Sequence, residues 1–202
     1  MSPQKRSPGR PRAFDPEQSL DQAVRVFWQK GYFGASLDDL TQAMGINRPS
    51  LYASFGDKQT LFLQCVDRYA NTLGRKPFAA LVDTPDIQSA ILSFFNAVIE
   101  TVCSVNTPKG CFIACILTEC AEAMPEAQDY LAAAITSSDQ AVEQRFLQAI
   151  QDRQLAAEFP VRSRARLTTS LMHGIALRAR AGEPKSSLTA FAAAASELVL
   201  KV

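Results

Sequence analysis

Apolar positions recur at three- and four-residue spacing over most of this 202-residue chain, and that period predicts helices. Leu20, Ala23, Val24, Phe27 and Trp28 form one stripe, which predicts a helix over residues 16–30. Asp15 is its N-cap, Pro16 fits its first turn and Gly31 can close it. A second, short helix opens at Ser36, where Ser36 and Asp39 have capping-box spacing with Asp in place of Glu. Leu37, Leu40 and Met44 mark its buried side, Gly45 offers the left-handed conformation that ends a helix, and Asn47 can cap the next. That third helix covers only residues 48–55. Leu51 and Phe55 lie four apart on one face and should point inward, which turns Pro49, Ser50 and Ala53 outward. Asp57 caps a fourth helix running to about residue 73, with Phe62, Cys65, Val66 and Tyr69 on its stripe. Residues 74–85 contain two prolines and read as a linker. Helices are then expected over 86–103, 111–123, 126–154, 161–181 and 187–200, so the fold class is all-α.

Two short helices joined by a tight glycine turn, as over residues 36–55, make a helix-turn-helix. The second helix of such a pair enters the DNA major groove, which is about 12 Å wide and admits a helix whose outer face is small or polar. Pro49, Ser50 and Ala53 meet that demand. Arg48 would reach a guanine edge or a phosphate, and Pro49 and Ala53 would touch thymine methyls. Tyr52, Ser36 with its backbone N–H, and Lys58 would hold phosphates, the last two at helix starts where the dipole favours an anion. The plain alternative is three packed helices with no partner.

Composition narrows the class. Hydrophobic residues make up 47% of the chain, enough for a real core, but no run approaches the ~18 apolar residues of a membrane span. The basic N-terminus is followed by no apolar run, so no secretory signal is expected and a soluble, cytoplasmic protein is. Net charge is only +1, so charge distribution carries more than the total. Residues 1–12 hold Lys5, Arg6, Arg10 and Arg12 and no acid. Within this arm, taken as 1–13, Gly9-Arg10-Pro11-Arg12 resembles the core of an AT-hook, and Arg10 and Arg12 would enter an A·T minor groove; the alternative is a solubilising tail. Five cysteines without a C-x-x-C pair, and a single histidine, His173, argue against structural zinc and against a disulfide framework, and no metal or cofactor is expected. His173 reads as packing or interface.

The stretch AVRVFWQKGYFGASLDDLTQAMGINRPSLYASFGDKQTLF carries a more specific signal. Residues 14–62 resemble the DNA-binding domain of the TetR family of bacterial repressors. In that pattern a helix ends in Gly-Tyr/Phe, Ser/Thr opens the next, a Gly-Val/Ile turn follows, and Leu-Tyr-x-x-Phe-x-x-Lys closes it, matched by Leu51, Tyr52, Phe55 and Lys58. The family often places a second aromatic and a His where Ala53 and Ser54 stand, so its operator sequence does not carry over. The resemblance implies a helix-turn-helix domain over 14–74 and an effector-binding and dimerisation domain over 75–202. SLMHGIALRARAG looks like the family's eighth helix, which pairs with the ninth across a two-fold axis; Ser170, Gly174 and Ala181 would allow close approach and Leu167, Leu171, Ile175 and Leu198 would be buried there. A homodimer implies a pseudo-palindromic operator.

Phe94, Phe95, Val98, Phe112, Ile116 and Ile135 are candidate walls of an effector cavity, whose apolar character suggests a small lipophilic or aromatic ligand. Cys111 follows Gly110 at an expected helix start, beside Lys109, where a thiol is acidified; some family members that sense electrophiles look similar. Its alternative, shared with Cys115 and Cys120, is a small buried hydrophobe. The expected function is a non-enzymatic repressor that binds double-stranded DNA and is released by an effector. Its rivals are a redox- or electrophile-sensing repressor acting through Cys111, an effector-independent architectural DNA binder, and an enzyme or carrier using the helical pocket, for which no catalytic constellation is present.

Overall fold

Local capping sets the first four helices. The computed structural model describes residues 14–201, and the regular elements among them are all helical. Helix α1 (Pro16–Gly34) starts where the Asp15 carboxylate accepts from the Glu17 N–H at 3.0 Å. It runs past the expected end at residue 30, but with a break: Gly31 has φ 72° and ψ 171°, outside helical space. A Cβ there would stand 2.9 Å from Glu119 Oε2, the movable end of a side chain, so it is the backbone conformation that requires glycine.

Helix α2 (Leu37–Met44) has the full capping box: the Asp39 N–H donates to Ser36 Oγ at 3.1 Å, and the Ser36 N–H donates to Asp39 Oδ2 at 3.0 Å. Lys30 Nζ adds a 2.6 Å contact to Asp39 Oδ1. The Lys30 contact, then the Ser36 donors, hold the Asp39 carboxyl down from 3.8 to about 2. A folded pKa below the unfolded one means that this stabilisation is complete above about pH 4 and is lost as pH falls toward about 2. Asp39→Asn should therefore lower the melting temperature at neutral pH and flatten the acid limb of a melting-temperature profile between those values. An acid limb identical to the parent's would contradict the assignment.

Gly45 ends α2 at φ 66°, Asn47 Oδ1 accepts from the Ser50 N–H at 2.9 Å to start α3 (Arg48–Phe55), and Asp57 Oδ1 accepts from the Thr60 N–H at 2.8 Å to start α4 (Lys58–Tyr69). Ser19 Oγ donates to Met44 O at 3.1 Å and pins the end of α2 to α1.

The remaining elements are a π-helical turn (Ala70–Gly74), α5 (Lys76–Asp83), α6 (Ile87–Val102), a π-helical segment (Ile113–Leu117), α7 (Thr118–Cys120), α8 (Pro125–Gln151), α9 (Val161–Arg180) and α10 (Lys185–Leu200). Two expectations need correction. Residues 74–85 are not a linker: Pro77 sits in the first turn of α5, where its missing N–H costs nothing, and Leu81 is fully buried. Nor is 111–123 one regular α-helix: helical geometry begins at Phe112, Ile113–Leu117 is π-helical, and the helix ends at Cys120.

The described residues form two apolar clusters. One joins α5, α6, α8, α9 and α10 around Phe94, Phe95, Phe146 and Ile175. The other joins α1–α4 around Phe27, Trp28, Leu51 and Phe62, and it crosses the expected boundary at residue 74 to take in Phe112, Ile116, Leu117 and Cys120. Arg145, 7% exposed, is a buried cation of α8 that donates to the carbonyls of Leu81, Thr84 and Pro85 at 3.2, 3.1 and 2.7 Å, closing the turn between α5 and α6.

Candidate nucleic-acid interface

Helix α3 divides cleanly into two faces. Leu51 and Phe55 are buried in the cluster that joins α1–α4, while Arg48, Pro49, Tyr52 and Ala53 are exposed and Ser50 is half-buried. The outer face is therefore short, small and polar, with the Tyr52 ring standing at its flank, 49% exposed. Two details were not visible in the sequence. Arg48 is engaged: its Nη2 and Nε donate to Asp38 Oδ1 at 2.8 and 3.2 Å, an exposed pair across the turn. Exposed pairs of this kind contribute only about 0.2–1 kcal/mol, so a phosphate or base edge would compete readily for the guanidinium.

Ser36 is also engaged. Its N–H and hydroxyl both serve Asp39, at 3.0 and 2.8 Å, so the donors expected to face a phosphate are already used within α2. Lys58 opens α4 with its Nζ 4.7 Å from the Tyr32 ring centroid, a cation–π contact, and partial desolvation lowers its pKa. Arg10 and Arg12 lie outside the described residues.

Side-chain hydrogen bonds tie the helix-turn-helix to the rest of the chain. Arg180 Nη1 of α9 donates to Trp28 O at 3.1 Å and to Lys109 O at 3.3 Å. Tyr130 Oη of α8 donates to Asp67 Oδ1 at 2.5 Å, and Gln59 Nε2 donates to Glu126 Oε2 at 3.1 Å. These bonds fix α4, and hence α3, relative to the C-terminal helices.

A cavity of ≈ 80 Å³ lies between the π-turn after α4, α6, α8 and α9. Val98 and Ile135 line it. Phe94, Phe95, Phe112 and Ile116 do not: they are fully buried within the two clusters, because an apolar helix face looks the same whether it packs or lines. Lining residues absent from the sequence-based effector candidates include Tyr69, Phe78, Thr101, Ser138, Met172 and His173. Burial lowers the His173 pKa, with Asp139 opposing, which favours a neutral imidazole able to donate and accept at the cavity wall. Cys111 also lines the cavity and accepts from Tyr69 Oη at 3.4 Å. Its carbonyl accepts from the Cys115 N–H at 2.9 Å, so it stands immediately before the helical turn that opens at Phe112. Burial raises the Cys115 thiol and pushes Cys120 up to about 11.

On the outer surface of α9 and α10, Ser170, Ala181, Leu177 and Leu198 are exposed, and a Cβ on Gly174 would meet no atom within 4 Å. Ile175, expected on that face, is instead fully buried within the chain. No group of three or more metal-ligating side chains occurs among the described residues, and no described helix is long and apolar enough to cross a membrane.

Residues 20–65 match the family model "Bacterial regulatory proteins, tetR family", and residues 89–195 match "Tetracyclin repressor-like, C-terminal domain". The chain belongs to the TetR family. It is a helix-turn-helix transcriptional regulator and not an enzyme. Among curated TetR-family relatives, it is 35% identical to the HTH-type transcriptional repressor ComR of Escherichia coli K12, over 88% of this chain and 85% of that protein. It is 30% identical to the HTH-type transcriptional repressor BdcR of the same strain, over 97% and 94%. A cysteine variant of the TetR family regulator CifR, solved with 26-bp double-strand operator DNA, superposes with a TM-score of 0.85 at 31% identity, covering 93% of this chain and 98% of that one.

Proposed function

We propose that this TetR-family chain is a transcriptional repressor that binds a pseudo-palindromic operator as a homodimer and dissociates when a small lipophilic or aromatic effector enters its cavity. The observation that carries the DNA-binding reading is the outer face of α3: Leu51 and Phe55 are spent on the core, and what remains is narrow enough for a major groove. The likeness to CifR, solved on operator DNA, supports it, and so do the repressors ComR and BdcR. The exposed Leu177 and Leu198 beside small Ser170, Gly174 and Ala181 support a second copy packing on α9 and α10.

Effector release follows from size. At ≈ 80 Å³ the cavity is well below the roughly 300–1,000 Å³ of a pocket for a drug-sized ligand. Such a ligand must open it, and Tyr69 and Leu73 form part of its wall at the C-terminal end of the α4 segment. Opening therefore displaces α4 and changes the spacing of the two α3 helices in a dimer. A ligand that prefers the opened state shifts the population away from DNA in proportion to that preference. Cys111 on the same wall supports an electrophile-responsive version of this mechanism; release by electrophiles that persists unchanged in Cys111→Ser would remove that version.

The contacts are tested by operator-variant binding. Lys58→Ala and Tyr52→Phe should weaken every variant alike, with Lys58→Ala lowering the salt slope by about 1, whereas Arg48→Ala should relax one operator position. Uniform loss in Arg48→Ala would reassign it to phosphate. Binding that is independent of sequence and steeply salt-dependent in the parent would favour an architectural binder and overturn the repressor reading.

A further inference from the structure

A second crevice, ≈ 270 Å³, lies between α1, the end of α4 and the loop over residues 103–112. Tyr69 and Leu73 separate it from the smaller cavity, since both line both spaces. Two of its lining residues carry buried polar atoms without a hydrogen-bond partner among the described residues: Trp28 Nε1 and Thr107 Oγ1. Trp28 is 1% exposed, and its ring is held edge-on by Tyr69 at 5.1 Å, so the indole cannot turn its N–H toward bulk water. A buried donor left unpaired costs about 1–3 kcal/mol, and the same crevice lining leaves two such groups together.

The chemistry of these groups limits what can satisfy them. An indole N–H only donates, so the occupant must present an acceptor. The charged lining residues are Asp21, Arg25 and Arg68. Arg68 is committed to Asp21 through two bonds of 2.8 and 3.0 Å, and also to Glu17. Arg25 is exposed and makes no ion pair among the described residues, so it is the cation of this lining that stays open to an anion. The volume exceeds the ~30 Å³ share of one water several-fold and approaches the small end of organic-ligand sites.

We propose that this crevice is a binding site for a small organic carboxylate, distinct from the effector cavity of the proposed function. The carboxylate accepts from Trp28 Nε1 and Thr107 Oγ1 and pairs with Arg25, while the ligand's apolar part lies against Val24 and Leu73.

Trp28 is the only tryptophan in the chain, so its indole N–H gives a single assignable resonance in a ¹H–¹⁵N spectrum. Titration of the full-length protein with benzoate, to about 10 mM, should move that resonance downfield in a saturable way, and benzamide should bind at least about tenfold more weakly. Thr107→Val and Arg25→Gln should each raise the benzoate dissociation constant roughly tenfold, because each removes one hydrogen-bonding or charged partner. Ala134 lines the effector cavity and not this crevice, so Ala134→Leu should leave the benzoate curve unchanged. No saturable shift, equal binding of benzamide, or loss of the response in Ala134→Leu would each overturn the proposal. None of these outcomes bears on operator binding, so the site and the repressor reading fail separately.

Discussion

Phe62→Ala should destabilise the chain by about 3–5 kcal/mol, the usual cost of removing a fully buried aromatic side chain. For a chain of this size that corresponds to a fall of about 6–20 °C in melting temperature. Phe62 is fully buried on α4, and its ring meets Phe27 at 5.1 Å, Tyr32 at 5.0 Å and Phe112 at 5.8 Å. Phe27 and Tyr32 belong to α1, while Phe112 arrives from beyond α6, so one ring holds the helix-turn-helix to the rest of the chain. The cavity left by alanine should therefore lower a single shared transition rather than split off an early one. Phe33→Ala, at a residue 64% exposed, should stay within about 0.5 kcal/mol of the parent. Calorimetric melts of the three proteins check this. A loss below about 1 kcal/mol in Phe62→Ala would mean that the shared core collapses onto the gap more freely than its packing implies.

Ala53→Glu should leave stability within about 0.5 kcal/mol of the parent and yet weaken operator binding about a hundredfold or more. Ala53 is exposed in the middle of the α3 outer face, so the new side chain displaces nothing in the core. In a groove it would place a carboxylate among phosphates and acceptor-rich base edges, and like-charge juxtaposition at an interface costs several kcal/mol. Ala53→Ser, small and neutral, is the control and should bind within a few fold of the parent. Anisotropy titrations on one labelled operator, with melts alongside, separate lost binding from lost folding. Parental affinity in Ala53→Glu would move the interface off this face.

Most of the DNA-reading unit was legible because its determinants are local. Ser36 with Asp39, Gly45, Asn47 and Asp57 each act within three residues, and the four-residue spacing of Leu51 and Phe55 sets which way α3 faces. What was missed depends on contacts between distant segments. Arg48 finds Asp38 ten residues away, and the Ser36 donors are used by its own capping partner. The two prolines of residues 74–85 read as a linker because first-turn and interior prolines look alike until the helix start is known. Nothing local marks Ile113–Leu117 as π-helical. The cavity wall was the least legible part. Phe94, Phe95, Phe112 and Ile116 have the same apolar character as Val98 and Ile135, and only the packing of several helices decides which of them face open space.

The most direct test of the account is selection of DNA from a random duplex library by the purified full-length protein, followed by sequencing. The account predicts an enriched pseudo-palindrome whose half-sites are centred about one helical turn, 34–36 Å, or a multiple of it apart, and whose recovery is lost with Ala53→Glu. Enrichment of a single asymmetric site, or no enrichment above the input, would contradict it.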